Sequence, residues 1–216
     1  MIQILEENEF FIVLNKPAGY SVHNQNPSVA DFLKKSNKPL HFVNRLDQET
    51  SGLLLVALKP ELHTELVESM QSGKKFYRAL LRGEWKQPTQ QTETEQTEWT
   101  WPLTDKAEGR QNPQGAASER KACATRVQRV RSSRYFTEIE VELLTGRQHQ
   151  IRKHAALAKQ PIVGDSRYND KKYNDNISSR YGESRMHLHA EKLEFVFRTK
   201  NYKLSSPYNL DRYFHT

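Results

Sequence analysis

Cysteine is nearly absent from this chain. The single residue, Cys123, excludes an internal disulfide and fits a reducing compartment, so a cytosolic protein is expected. Long apolar runs are missing too: none approaches the roughly 20 residues that a membrane-spanning helix needs. The first residues, MIQILEENEFFIVLNK, lack the basic flank of a secretory signal and read directly as structure. Hydrophobic residues are sparse at 36%, with aromatics at 10%, yet 216 residues of this composition suffice for one domain with a core. Acidic residues are outnumbered, 26 against 33 Lys and Arg, and the net charge of +7 suits a polyanionic partner such as RNA or DNA. No internal repeat is present.

What the chain does have is a contrast at Val43–Leu58, VNRLDQETSGLLLVAL. Leu53–Leu58 is an unbroken apolar run of strand length, expected to be buried on both faces. The residues before it are almost all polar: Asn44, Arg45, Asp47, Gln48, Glu49, Thr50 and Ser51. A polar loop feeding a buried strand holds its side chains on a rigid support, where site residues are commonly found. Asp47 stands out there, either as a turn carboxylate bonded to its own backbone or as a group that does chemistry.

The rest of the chain reads as alternating elements. Phe10–Asn15 is a predicted strand, broken by the Lys16–Gly19 turn. Ser28–Lys35 is a predicted short helix. Pro60 opens a second helix with Leu62, Leu66 and Met70 on one face, stopped near Gly73. Lys74–Glu84 alternates, with Tyr77, Ala79 and Leu81 on one face. Gln87–Thr97 has no periodicity and Lys106–Arg120 is loop-like, so a flexible region near 87–120 is expected. The Trp99 and Trp101 pair between them is read as packing rather than base stacking. Ala122–Arg131 reads as a strand with a bulge, and Tyr135–Leu144 as a half-buried strand with Glu138, Glu140 and Glu142 facing water. Thr145 and Gln148 have capping-box spacing ahead of a helix carrying Ile151, Ala155 and Ala158. Met186–Arg198 is a last predicted strand with Leu193, Phe195 and Phe197 on one face.

Several of these segments carry motifs. Residues 44–53, NRLDQETSGL, resemble the signature H-R-L-D-x-x-T-S-G-L of the RluA-type pseudouridine synthases, with Asn44 in place of the usual histidine. NKPAGYSVH (15–23) is similar to that family's N-K-P-x-G-x-x-V-H, and Lys75, Tyr77 and Ala79 match its K-x-Y-x-A. Gly146 to Tyr168 follows G-R-x-H-Q-I-R-x-H and P-I-x-G-D-x-x-Y at nearly every position, and Met186–Leu193 is similar to the C-terminal R-x-x-L-H-A-x-x-L. Together the blocks span about residues 10 to 198, and agreement over several independent blocks is far more specific than one short motif.

The resemblance implies an α+β fold of the pseudouridine synthase type: a long, mixed, mostly antiparallel sheet in two sublobes with a central RNA-binding cleft. A single catalytic domain over 1–216 is expected, without an S4 domain ahead of the motifs. The implied activity is isomerisation of uridine to pseudouridine in structured ribosomal or transfer RNA, with the target base flipped from its stack. That chemistry calls for no cofactor and no metal, and a monomer without an obligate protein partner is expected. Carried over from the motifs, Asp47 acts on the sugar, Arg152 keeps it ionised, and Tyr77 lies against the uracil and handles the C5 proton. Ile151 would line the same pocket. Arg147, His23, Lys16, Arg45 and Lys75 are expected RNA contacts. Asn44 would still contact the nucleotide, without the charge or stacking of a histidine.

Two other readings compete. A metal enzyme would need ligands from His149, His154, His187 and His189, but five-residue helical spacing sets the first two on different faces, and no carboxylate partners are apparent. A non-catalytic RNA-binding protein built on the same fold suits the charge equally well. It gains nothing, however, from a carboxylate at position 47 facing a polyanion.

Overall fold

The computed structural model describes residues 1–23, 25–86 and 96–215. Strands β1 (Gln3–Glu7) and β2 (Phe11–Lys16) precede helix α1 (Val29–Lys35), followed by β3 (His41–Phe42), β4 (Ser51–Ala57), helix α2 (Pro60–Ser72) and β5 (Lys74–Arg82). Then come β6 (Gln96–Trp99), β7 (Thr125–Ser132), β8 (Phe136–Leu143), helices α3 (Gln150–Leu157) and α4 (Lys171–Tyr181), and β9 (Leu188–Phe197) with β10 (Lys200–Ser205). The chain divides into two compact units, Met1–Lys75 with His189–Tyr208, and Phe76–Leu188 with Asn209–Thr216.

In the first unit β4 is central. β2 runs antiparallel beside it from Phe11↔Ala57 to Lys16↔Gly52, and β9 pairs with it in parallel at Ser51↔His189 and Gly52↔Ala190. β1 borders β2, β10 borders β9, and β3 adds two residues alongside β4. Every residue of β4 is buried, as its unbroken apolar run predicts. The helix α2 starts with Pro60, where a missing N–H costs nothing. It lays Leu62, Leu66 and Met70 on Phe11, Val13, Leu53, Leu55, Leu193 and Phe195. Each such side chain contributes about 1.5–3 kcal/mol by leaving water. Gly73 ends the helix for a reason other than a left-handed turn: its φ is −83°, but a Cβ there would lie 2.4 Å from the Glu194 carbonyl oxygen. The glycine permits a close approach to β9.

In the second unit the antiparallel order is β5–β8–β7–β6. The predicted bulge is present in β7, between Arg129 and Arg131. β8 alternates as expected, but its glutamate face is covered by ion pairs. Arg78 reaches Glu138 and Glu140, Arg126 lies 2.5 Å from Glu142, and Arg131 lies 2.7 Å from Glu138. The flanking strands carry the arginines, so cross-strand ion pairs cover the acidic column.

Three local readings are corrected. Of the loop expected near 87–120, residues 87–95 lie outside the described residues, but Gln96–Trp99 is a strand paired to β7 with Trp99 buried. The helix predicted from a Thr145 cap starts only at Gln150. The Gln150 side-chain oxygen accepts from the Arg147 amide and the Thr145 hydroxyl, which folds 145–149 into a turn and leaves His149 left-handed at φ 55°. Helix α4 has no counterpart in the hydrophobic pattern because none of its residues is buried. Its ends are nevertheless conventional, with the Asp170 side chain accepting from the Tyr173 amide and left-handed Gly182 closing it.

Candidate active site

The polar loop between β3 and β4 is a tight turn. The Thr50 amide donates to the Asp47 carbonyl at 3.1 Å, Asp47 is half-buried, and Arg45 is exposed. Gly52 follows at φ +111°, and a Cβ there would lie 2.3 Å from the Ala190 carbonyl oxygen. Asp47 is therefore borne by a short turn whose exit is wedged against β9.

Lys16 is not the RNA contact its motif implies. Its side chain is fully buried, and Nζ donates to the carbonyls of Pro17, Tyr20 and Gln48 at 3.1, 2.7 and 3.1 Å. A buried ammonium is costly unless its donors are matched, and three donors here meet three acceptors. The Gly19 amide also donates to Gln48 O, and Gln48 Nε2 returns a bond to Gly19 O. Lys16 thus ties the first motif to the Asp47 turn. Asn44 is corrected in the same way. Its Nδ2 donates to Leu53 O at 3.2 Å and its Oδ1 accepts from the Leu55 amide at 2.8 Å, so the amide prolongs the ladder along β4 instead of facing a nucleotide.

His23 is exposed and set edge-on to Phe42 at 4.5 Å. The two border a pocket of about 380 Å³ with Leu40, His41, Pro60 and His63. Lys75 is half-buried, and burial holds its ammonium below the ordinary lysine range.

The second unit carries Tyr77, Arg147, Ile151 and Arg152. Tyr77 is buried on β5 opposite Val141. Ile151 and Arg152 are buried on α3, and Arg147 is partly exposed with Nη1 3.4 Å from Asp105. Arg152 grips Asp165 with two bonds, Nε to Oδ2 at 2.8 Å and Nη2 to Oδ1 at 2.9 Å. Its guanidinium lies 5.4 Å from the Tyr168 ring centre, and the Tyr168 hydroxyl is 3.1 Å from His149 Nδ1. Asp165 was visible in the sequence only as a motif position; its pairing with Arg152 had no local signal.

Helix α3 is pinned by buried polar bonds. Lys153 Nζ donates to the Thr104 carbonyl at 2.9 Å, and Gln150 Nε2 to the Ala124 carbonyl at 2.9 Å. His154 lies between Trp101 O at 2.9 Å and Thr125 Oγ1 at 2.8 Å. Burial pulls its pKa down to about 4, which keeps the ring neutral at pH 7. A half-exposed carboxylate on a fixed turn can serve as nucleophile or base. A buried, permanently charged guanidinium can orient or stabilise an anion.

The family described as RNA pseudouridylate synthase matches residues 10–157. The chain is 31% identical over 210 residues to "tRNA pseudouridine synthase C" of Salmonella typhimurium, covering 91% of this chain and 80% of that one. It is 32% identical over 204 residues to "Ribosomal large subunit pseudouridine synthase C" of Vibrio vulnificus, covering 89% of this chain and 61%, under two thirds, of that relative's length. In structure it is similar to "Human RNA Pseudouridylate Synthase Domain Containing 4", with a TM-score of 0.77, 22% identity and coverage of 96% and 89%. The corresponding values for "Human RNA Pseudouridylate Synthase Domain Containing 1" are 0.74, 21%, 96% and 83%. These likenesses show the pseudouridine synthase fold, a mixed α and β architecture, in agreement with the expectation from sequence.

Proposed function

The chain belongs to the RNA pseudouridylate synthase family, and on that premise we propose that it isomerises uridine to pseudouridine in a structured transfer or ribosomal RNA. The N1–C1′ bond breaks, the uracil rotates, a C5–C1′ bond forms, N1 gains a proton and C5 loses one. Atoms balance without a cofactor. Asp47 supplies the ionised carboxylate, either attacking C1′ to form an ester that breaks as C5 bonds to C1′, or removing the C2′ proton to give a glycal and returning it as C5 bonds to C1′. Arg152, carried over from the family motif, is the cation this reading assigns to the site, because an arginine stays charged when buried. Tyr77 lies against the flipped base, a stacking contact worth about 1–3 kcal/mol, and relays the C5 proton. Ile151 lines the pocket, and Arg45, Arg147, His23 and Lys75 contact the RNA, whose phosphates the net charge of +7 favours. The protein acts as a monomer, and its single cysteine supports a cytosolic setting.

The observation that carries this reading is Asp47, half-buried on a fixed turn within a motif inside the matched region. RNA carrying C5-tritiated uridine tests it. The wild type is expected to release tritium, and Asp47→Asn to release none while binding RNA as before. RNA binding without release by the wild type would favour the non-catalytic reading.

A further inference from the structure

The Asp47 turn ends at Ser51, the first residue of β4, and Ser51 is held from across the parallel pairing. Its Oγ lies 2.8 Å from His189 Nδ1, and the two residues are register partners. The other ring nitrogen, Nε2, lies 2.7 Å from the Ser206 carbonyl oxygen. A carbonyl only accepts, so Nε2 carries the proton. In the neutral ring Nδ1 is then an acceptor, and the Ser51 hydroxyl donates to it. The Tyr208 ring stacks on the imidazole at 4.8 Å and 17°, and both Ser51 and His189 are withdrawn from water. The ring's orientation is therefore fixed, and with it the tautomer of the neutral form.

We propose that His189 is a positioning residue of this site: through Ser51 it sets the turn that carries Asp47. Besides the bonds to Gln48, three contacts hold the turn between Asp47 and Gly52, namely the Thr50 amide to Asp47 O, the Ser51 hydroxyl to His189, and the Gly52 backbone against Ala190. Of these three the middle one is a side-chain bond, and so it can be removed without altering the backbone. A misplaced carboxylate costs rate rather than binding, because distance from the reacting carbon enters the transition state and phosphate contacts do not. The catalytic consequence rests on Asp47 being the acting carboxylate. The holding of the turn does not.

The test compares His189→Ala, His189→Asn, Ser51→Ala and the His189→Ala/Ser51→Ala pair in the full chain. Tritium release gives kcat and KM, and amide hydrogen exchange at Thr50 reports the turn, with Leu54 inside β4 as the control. His189→Ala is expected to lower kcat about 10- to 100-fold with KM within about twofold, the scale set by a small displacement of a reacting group. Ser51→Ala should match it, and the pair should be no worse than either alone. His189→Asn sets an amide oxygen near the Nδ1 position and should recover most of the loss, which a general packing role for the ring would not predict. Thr50 should exchange faster in His189→Ala and Ser51→Ala while Leu54 is unchanged. The proposal is overturned if Ser51→Ala keeps both wild-type kcat and wild-type Thr50 protection, a result that decides even if His189→Ala fails to fold. If the wild type releases no tritium, the proposed function fails, and Thr50 exchange still decides the positioning.

Discussion

The Arg152 guanidinium lies flat against the Asp165 carboxylate, with two parallel N–H···O bonds and side-chain exposures of 2% and 0%. Removing two charges from water costs several kcal/mol each, and only matched geometry offsets it. Here Asp165 Oδ1 also accepts from the Arg167 and Tyr168 amides, so the carboxylate organises the segment after the P-I-x-G-D motif as well as the arginine. Arg152 is thus held in place by the protein before any RNA arrives.

Breaking that pair from one side leaves a buried charge. Asp165→Asn is expected to lower unfolding stability by about 3–5 kcal/mol in urea titrations. Arg152→Met combined with Asp165→Asn should recover part of the loss, because no uncompensated charge remains. A double variant less stable than Asp165→Asn alone would show that the pair is not acting through charge.

Gly52 admits no side chain. Its left-handed φ of +111° and the 2.3 Å distance from an ideal Cβ to the Ala190 carbonyl both oppose alanine. Backbone strain alone costs about 1–2 kcal/mol, and pushing β9 away adds to it. Gly52→Ala should therefore lower both Tm and tritium release, with release falling further than the folded fraction. An alanine variant with wild-type Tm would contradict this.

The elements that bury apolar faces were legible in the sequence: β8 and α2 by a periodicity that records which side meets the core, and β4 by an unbroken apolar run buried on both faces. Helix α4 escaped because none of its residues is fully buried and it leaves no apolar period. Residue type and motif singled out Asp47, but they could not say which polar side chains the backbone would claim. Lys16 and Asn44 looked like nucleotide contacts by type and motif. Whether a polar side chain meets water or a carbonyl depends on groups far along the chain: the carbonyl of Gln48 is 32 residues from Lys16. The same holds for Ser51 and His189, 138 residues apart.

Two buried histidines are expected to weaken the fold in acid. Burial pulls the pKa of His154 to about 4 and that of His187 to about 3, against an ordinary 6.5. His187 Nε2 meets the Tyr213 hydroxyl at 2.9 Å inside the second unit. Both rings are neutral in the folded state near pH 5, whereas the unfolded chain takes up their protons below about 6.5. The unfolded state therefore binds more protons, and stability falls as pH drops from about 6.5 towards 4. Each group contributes up to about 1.4 kcal/mol per pH unit in that window. Urea midpoints at pH 7, 6, 5 and 4.5 should show the decline, and His187→Phe should make it shallower even if it lowers stability at pH 7. A variant with the wild-type slope would remove His187 from the account.

Asn44 gives the sharpest contrast between a motif and a structure. The family signature has histidine at this position, which suggests that Asn44→His would improve handling of the nucleotide. The observed bonds predict the opposite for the fold. Asn44 offers a donor and an acceptor from the same carbon, and Leu53 O and Leu55 N use both. A histidine in the same place puts Nδ1 at one of those positions and a carbon at the other, so at least one bond is lost. Leaving one partly buried backbone group unpaired costs about 1–3 kcal/mol. Asn44→His is expected to lower stability by that amount, and Asn44→Ala by at least as much, in urea titrations. Amide exchange at Leu55 should accelerate in Asn44→Ala, since its acceptor is gone, while Val43, which donates to Leu55 O through its own backbone, stays protected. Unchanged Leu55 exchange in Asn44→Ala would mean that the side chain does not extend the ladder in solution, and Asn44 would return to the nucleotide-contacting role its motif suggests.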